Sequence, residues 1–357
     1  MLAGKLLSAT SGGGMPPPCR RPHRDNHAMR VFHGLQGAAR ANDGRSGAPG
    51  CAVTIGNFDG VHRGHQAMLA LLNSEARHRG VPSCVLTFEP HPRDYFARLA
   101  GRPELAPARI ATLRDKLIEL DRCGVDQVLL LRFNERFAAQ TPHAFIGDVL
   151  RRSLQARYVL VGDDFRFGAR RAGDYAMLDA AGDAHGFDVA RMMSYEVHGL
   201  RVSSSAVREA LAAGDMARTA ALLGRPYAIS GRVMHGRKLG RTLGFRTLNL
   251  RFAHARPAAM GIFAVQVHGL ALQSLPGVAS IGVRPTVEDA GRVLLEVHCL
   301  AWPDSLGTDG AYGRHISVSL LHKLHDERKY DSLDALRAGI LRDVDDARGW
   351  FAGRPQR

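Results

Sequence analysis

Lysine, aromatic residues and paired cysteines are all scarce in this chain of 357 residues, and each scarcity removes a class of protein. Only five of the 48 basic side chains are Lys, at positions 5, 116, 238, 323 and 329, so the formal net charge of +14 rests almost wholly on Arg. Such a bias reflects codon usage as readily as function, and a basic balance suits nucleotides as well as nucleic acid. Aromatics make up 6% and do not cluster with Arg, which argues against a nucleic-acid platform of stacked rings on basic strands. The five cysteines, Cys19, Cys51, Cys84, Cys123 and Cys299, are odd in number and form no C-x-x-C pair. Three of them sit in apolar runs, so free buried thiols in a reducing compartment fit better than disulfides or zinc. No apolar run approaches the ~18–20 residues of a membrane span. Leu2 to Leu7 is short and interrupted by Lys5, unlike a secretory signal, and the expectation is a cytoplasmic protein with no membrane and no nucleic-acid partner.

What is present is globular: 45% hydrophobic and 23% charged, over a length that suits two domains. Residues 1–28 are rich in Gly, Pro and Arg without apolar period, and read as a disordered extension, with Met29 a candidate start of translation. Met29 to Phe32 is strand-like, and from Cys51 strands and helices alternate. Strands are expected at Cys51–Ile55, Cys84–Phe88, Gln127–Leu131 and Tyr158–Val161. Helices are expected at about Gly64–Arg79, Thr112–Arg122 and Pro142–Ser153, the last capped by Thr141 with Pro at its first position. That alternation predicts a parallel sheet with helices on both faces and a ligand site beyond the strands' carboxyl ends. After Gly224 the texture changes to short strands without helices between them: Tyr227–Val233, Gly261–Val267, Gly277–Ile281, Val293–Leu300 and His315–Leu321. A final helix begins at Ser332 and shows Leu333, Leu336, Ile340, Leu341 and Val344 on one face. The expectation there is a small antiparallel barrel closed by a helix.

Thr54 to His65 is the most informative stretch. His62 and His65, three apart, fall on one side of a helix's first turn, where backbone N–H groups already favour an anion. Gly56, Gly60 and Gly64 let the chain turn and approach a ligand, and Asp59 would cap the turn or position a cation. The arrangement suits a phosphate clamp. A capped helix with two surface histidines, or a metal site lacking a third ligand, would show the same spacing. Gly56-Asn57-Phe58-Asp59-Gly60-Val61-His62-Arg63-Gly64-His65 resembles the H-x-G-H signature of nucleotidylyltransferases, and in particular of the bacterial FAD synthetases. Thr87 to Pro92 resembles that branch's flavin-side loop, with Pro90, His91 and Pro92 as the contacts. Val161 to Gly168 resembles its nucleotide-side loop, with Asp164, and Ser203 to Arg208 its S-S-T-x-x-R element, with Ser205 in place of Thr. The resemblance implies that His62 and His65 stabilise the transition state as FMN attacks the α-phosphorus of ATP. It also implies that Asn57 and Phe58 join the nucleotide-binding turn, and that Ser204, Ser205 and Arg208 hold the ATP phosphates.

Gly231 to Lys238 almost spells a P-loop, but Arg237 occupies the Lys position and no Ser or Thr follows Lys238. Gly236 to Gly244 reads instead as a basic covering loop. Thr247 and Asn249 then offer oxygen ligands suited to Mg²⁺, and Glu296 stands in an apolar strand, either facing outward or placed to accept a proton from an alcohol. This combination resembles riboflavin kinase, with Arg246 where that family has Pro and His325 where it has Arg. The resemblance implies Thr247 and Asn249 as Mg²⁺ ligands, Gly240 and Arg241 on the nucleotide, Glu296 as the base for the riboflavin 5′-hydroxyl, and Arg328 on the flavin. Over about Val31 to Leu211 and Tyr227 to Val344 the chain is thereby similar to the bacterial bifunctional riboflavin kinase/FAD synthetases. Their fold is a nucleotidylyltransferase-type Rossmann-like parallel sheet, expected at 29–222, followed by a riboflavin-kinase-type barrel, expected at 225–350. Substrates would be riboflavin, FMN and ATP, the product FAD, the metal Mg²⁺, and the assembly a monomer or a transient homo-oligomer. Two rivals stay open: an adenylyltransferase of this family with an impaired kinase, and an H-x-G-H adenylyltransferase of another substrate.

Overall fold

In a computed structural model the chain is described over residues 28–41, 50–193, 195–197, 200–235, 245–251, 256–283, 293–307 and 309–353. The N-terminal extension to residue 27, with Cys19, and the loop holding Gly240 and Arg241 lie outside them. The chain packs as two units: the segment up to Pro107 joins Lys116–Val202, while Ala108–Asp115 joins Ser203 onward.

In the first unit six strands form one parallel sheet: β1 (Arg30–His33), β2 (Cys51–Ile55), β3 (Ser83–Glu89), β4 (Gln127–Arg132), β5 (Ala156–Gly162) and β6 (Asp188–Met192), in the order β1-β4-β3-β2-β5-β6. Their side chains alternate between two cores. Val53, Leu86, Leu129 and Val159 meet Phe145, Val149, Leu150 and Leu178 on one face. Ala52, Val85, Val128 and Leu160 meet Leu69, Leu72, Ala76 and Leu120 on the other. Burial on both faces explains why these strands read as continuous apolar runs. The order runs one way from β2 through β3 and the other way through β5, so the sheet's switch point lies between β2 and β5. Ligand crevices open at such points, at the strands' carboxyl ends. Cys51, Cys84, Cys123 and Cys299 are buried and form no disulfide among the described residues.

The expected helix from Pro142 to Ser153 is α-helical only over Pro142–Ala144, where Thr141 Oγ1 accepts from Ala144 N. It then winds more loosely as a π-helix over Phe145–Ser153, shown by Leu154 N donating to the Val149 carbonyl five residues back. A short ribbon of β7 (Glu196–Val197) and β8 (Leu200–Arg201) completes the strands of this unit.

In the second unit β9 (Tyr227–Arg232), β10 (Leu248–Arg251), β11 (Gly261–His268), β12 (Leu275–Val283), β13 (Val293–Cys299) and β14 (His315–His325) pair antiparallel in the order β10-β13-β12-β11-β14-β9. Met234 N donates to the Asn249 carbonyl at 2.9 Å, which joins the two edge strands and closes the sheet into a barrel. The helices Ser204–Ala213 and Met216–Leu223 belong to this unit. The terminal helix Leu333–Ala352 starts at Ser332, whose hydroxyl accepts from Ala335 N. Its buried face differs from the expected one. Val344 and Ala347, with Ile340, pack on Ile262, Ala264 and Val278 of the barrel, whereas Leu333 and Leu341 are 64% and 47% exposed. The 3.6-residue period accounts for Leu341, which falls about 100° from the stripe that 340, 344 and 347 share, whereas Leu333 lies in line with that stripe but is the helix's first residue.

Candidate active sites

The turn after β2 carries backbone strain. Phe58 and Val61 hold positive φ (49° and 41°) although neither is glycine, and both are buried. Such conformations persist only where the surroundings over-determine them. Asn57 is tied down at its carbonyl, which accepts from Thr87 Oγ1 at 3.3 Å, and Gly56 N donates to the Leu86 carbonyl. Asp59 is buried at the base of the turn. His62 then caps the helix Arg63–His78: its Nδ1 accepts from His65 N, so in the neutral ring the proton sits on Nε2. The His62 and His65 rings stack 3.7 Å apart, and Phe58 lies 4.9 Å from His65 on the other side. Gly64 permits this approach, because a Cβ there would stand 3.3 Å from both His62 Nδ1 and the Val202 carbonyl.

Burial, then the neighbouring His62 ring and the Lys116 ammonium, hold His65 well below its ordinary value of 6.5, so the imidazole is neutral near pH 7. Its Nδ1 is buried with no hydrogen-bond partner among the described residues. A buried polar atom left open on a phosphate-type turn fits an absent nucleotide. Lys116 was not singled out by the sequence reading. It is 1% exposed, and its Nζ donates to Thr87 Oγ1 at 3.3 Å, so a chain of contacts runs from Lys116 through Thr87 to Asn57. The available signal was its rarity: one of five lysines, on an apolar helix face beside Leu117 and Leu120.

Asp164 is exposed in the loop after β5, at the other lip of the switch point, with Oδ1 3.6 Å from where a Gly162 Cβ would stand. On the far side of the crevice the Glu89–Pro90 peptide is cis, Pro92 opens the helix Pro92–Leu99, and the buried His91 caps it by accepting from Arg93 N. An aromatic cluster gathers there that sequence patterning did not reveal. Phe133 meets Phe88, Tyr95, Phe96 and Phe137 edge-on or tilted at 5.5–5.8 Å, and Phe96 is 50% exposed. Ser203 caps the helix Ser204–Ala213, which places Ser204 and Ser205 in its first turn. Arg208 Nε donates to the Ala108 carbonyl at 2.7 Å. These three belong to the second unit, and His62 and His65 to the first.

On the barrel, strand register sets two of the predicted kinase residues, Asn249 and Glu296, side by side. Glu296 of β13 pairs with Asn249 of β10 on one side and with Ser280 of β12 on the other. Directly paired residues point to the same face. Glu327 extends the row: its carboxylate accepts from Ser280 Oγ at 3.0 Å and lies over Gly282, where a Cβ would collide with it. Burial and the nearby Glu296 charge raise Glu327 above the usual carboxylate value, against the opposing Ser280 hydrogen bond. Asn249 is buried, and its Oδ1 has no partner among the described residues. An open amide oxygen two residues from the Thr247 hydroxyl suits a hard cation held jointly with nucleotide phosphates. Among the described residues no cluster of three or more His, Cys, Asp or Glu could hold a metal, so any ion here depends on such a shared set. Arg328 is exposed after β14, while both ring nitrogens of His325 face acceptors, the Asp326 carbonyl and Asp343 Oδ1.

Comparison with known proteins divides the chain between two families. Residues 45–206 match the family model described as FAD synthetase, and residues 223–351 the one described as riboflavin kinase. The chain belongs to the bifunctional riboflavin kinase/FMN adenylyltransferase family. The member from Escherichia coli K12 is 47% identical over 323 residues, 90% of this chain and 98% of that one. The member from Pseudomonas fluorescens is 46% identical over 303 residues, 85% and 94% of the respective chains. A crystal structure from Streptococcus pneumoniae, described as a macrolide-efflux protein, superposes with TM-score 0.67 at 28% identity, covering 85% of this chain and 95% of that one. Among the described residues of this chain no helix is long and apolar enough to cross a membrane. As a bifunctional transferase the chain has a use for both units, which an H-x-G-H adenylyltransferase of other substrate would not. Neither match supports an impaired kinase.

Proposed function

We propose that the barrel unit transfers the γ-phosphoryl group of ATP to the riboflavin 5′-hydroxyl, giving FMN and ADP, and that the parallel-sheet unit joins FMN to the AMP of a second ATP, giving FAD and pyrophosphate. The observation that carries this reading is the match of two family models along one chain, at residues 45–206 and 223–351. In the kinase reaction Glu296 takes the proton of the attacking hydroxyl. Thr247 and Asn249 would hold Mg²⁺ together with the nucleotide, and Gly240 and Arg241 would cover it. When bound, Mg²⁺ supplies positive charge to the phosphate oxygens. Arg328 faces the flavin.

In the adenylyl transfer the FMN phosphate attacks the α-phosphorus and pyrophosphate leaves. No protein nucleophile is required, because orientation and charge supply the acceleration. His62, donating from Nε2, and the neutral His65 meet the oxygens on which charge develops. The turn Gly56–Gly60 with Gly64 cradles the nucleotide, assisted by Asp164. Ser204, Ser205 and Arg208 hold its phosphates, and the exposed aromatic edge at Phe96 beside Pro90, His91 and Pro92 receives the flavin. The enzyme works in the cytoplasm, as a monomer or a transient homo-oligomer, on small molecules and not on nucleic acid.

Two substitutions separate the halves. Glu296→Gln is expected to abolish FMN formation from riboflavin while leaving FMN-to-FAD conversion intact, and His65→Ala to stall the reaction at FMN. Chromatography of the flavins reads both, and simultaneous loss of both steps in either variant would overturn the assignment of separate sites.

A further inference from the structure

We infer that Arg246 is a positioning residue of the kinase site: a clasp formed with Trp302 and Gly307 holds the segment that presents Thr247 and Asn249. The inference rests on the proposed ligand role of those two residues. The Arg246 guanidinium carbon lies 4.6 Å from the centre of the Trp302 ring. Its Nη1 donates to the Gly307 carbonyl at 3.1 Å, and Trp302 Nε1 donates to the same oxygen at 2.9 Å. Cation and ring thus share one anchor, an arrangement that Arg's fork of donors supports and Lys does not reproduce.

The backbone is held independently of the side chain. The Arg246 carbonyl accepts from His298 Nδ1 at 2.8 Å, and the His298 ring meets Phe245 edge-on at 5.5 Å. His298 is two residues along β13 from Glu296, on the same side of the strand. One tether therefore runs from Arg246 to the turn at Gly307, and a second to the strand that carries the base. A residue fixed at both ends immediately before Thr247 leaves less chain to order when a nucleotide binds. Proline at this position would restrict the same backbone through its ring; here contacts do so.

The clasp predicts a change in nucleotide binding rather than in the chemical step. In a His65→Ala background, which stops FMN from being consumed, Arg246→Ala should raise KM for Mg-ATP in riboflavin phosphorylation by about 5- to 20-fold with kcat changed less than about twofold. Calorimetric affinity for Mg-ADP should weaken by the same factor. Trp302→Ala, which leaves the 245–251 segment untouched in sequence, should give the same loss, the double variant no more than either alone, and Trp302→Phe most of the original affinity. Unchanged KM and Mg-ADP affinity in both Arg246→Ala and Trp302→Ala, beside a strong loss in Thr247→Ala, would overturn the clasp and leave the ligand assignment standing. If Thr247→Ala also leaves both quantities unchanged, the ligand assignment has failed and the clasp with it.

Discussion

The stacked imidazoles of His62 and His65 make a donor site without carrying full charge. Two imidazolium rings 3.7 Å apart would repel, and burial already disfavours a proton on His65. A stability consequence follows from the sign of that shift. The unfolded chain takes up a proton on His65 near its ordinary value, the folded chain only well below it. The unfolded state therefore binds more protons in that window, and stability falls as the pH drops through it. His65→Gln should flatten the decline in melting temperature between about pH 7.5 and 5.5, followed by calorimetry; an unaltered slope would show that His65 protonates freely when folded. Gly64 acts by what it lacks. Gly64→Ala should slow FMN adenylylation, because the new methyl must displace either His62 or the Val202 backbone, and should leave riboflavin phosphorylation at its normal rate. Equal adenylylation rates for the variant and the parent would contradict that close approach.

Elements with strong patterning were legible, and those without it were not. Cys51–Ile55 is a strand at the bounds its apolar run implied, and the five expected barrel strands and the Ser332-capped helix lie within a few residues of expectation. The helix Tyr175–His185 and the strand Asp188–Met192 had no counterpart in the sequence reading. The helix is Ala- and Asp-rich with little contrast between its faces, although Asp174 caps its start and Gly186 ends it in the left-handed conformation. The strand is half exposed at the sheet edge and alternates weakly. Glu296 and Asn249 were chosen by chemical type, and only the register shows them to be direct neighbours. Lys116 and the Phe133 cluster were missed because their members are distant in sequence. Buried strand residues should be costly to truncate: Leu129→Ala, at 0% exposure between two packed layers, is expected to lower stability by about 2–5 kcal/mol in urea melts. A loss below about 1 kcal/mol would mean the site collapses onto the gap.

At the scale of the whole molecule the two units divide one substrate between two bonds of ATP. The barrel cleaves at the γ-phosphorus and the parallel sheet at the α-phosphorus, and a net charge of +14 is compatible with nucleotide substrates without being specific to them. Part of that charge lies in residues 1–27 and says nothing about either site. The most direct test uses riboflavin, Mg²⁺ and ATP labelled at either position with the full-length protein. Label from the γ-phosphate should enter FMN first and then persist in FAD, whereas label from the α-phosphate should appear in FAD and never in FMN. Absence of γ-label from FMN, or of α-label from FAD, would contradict the account.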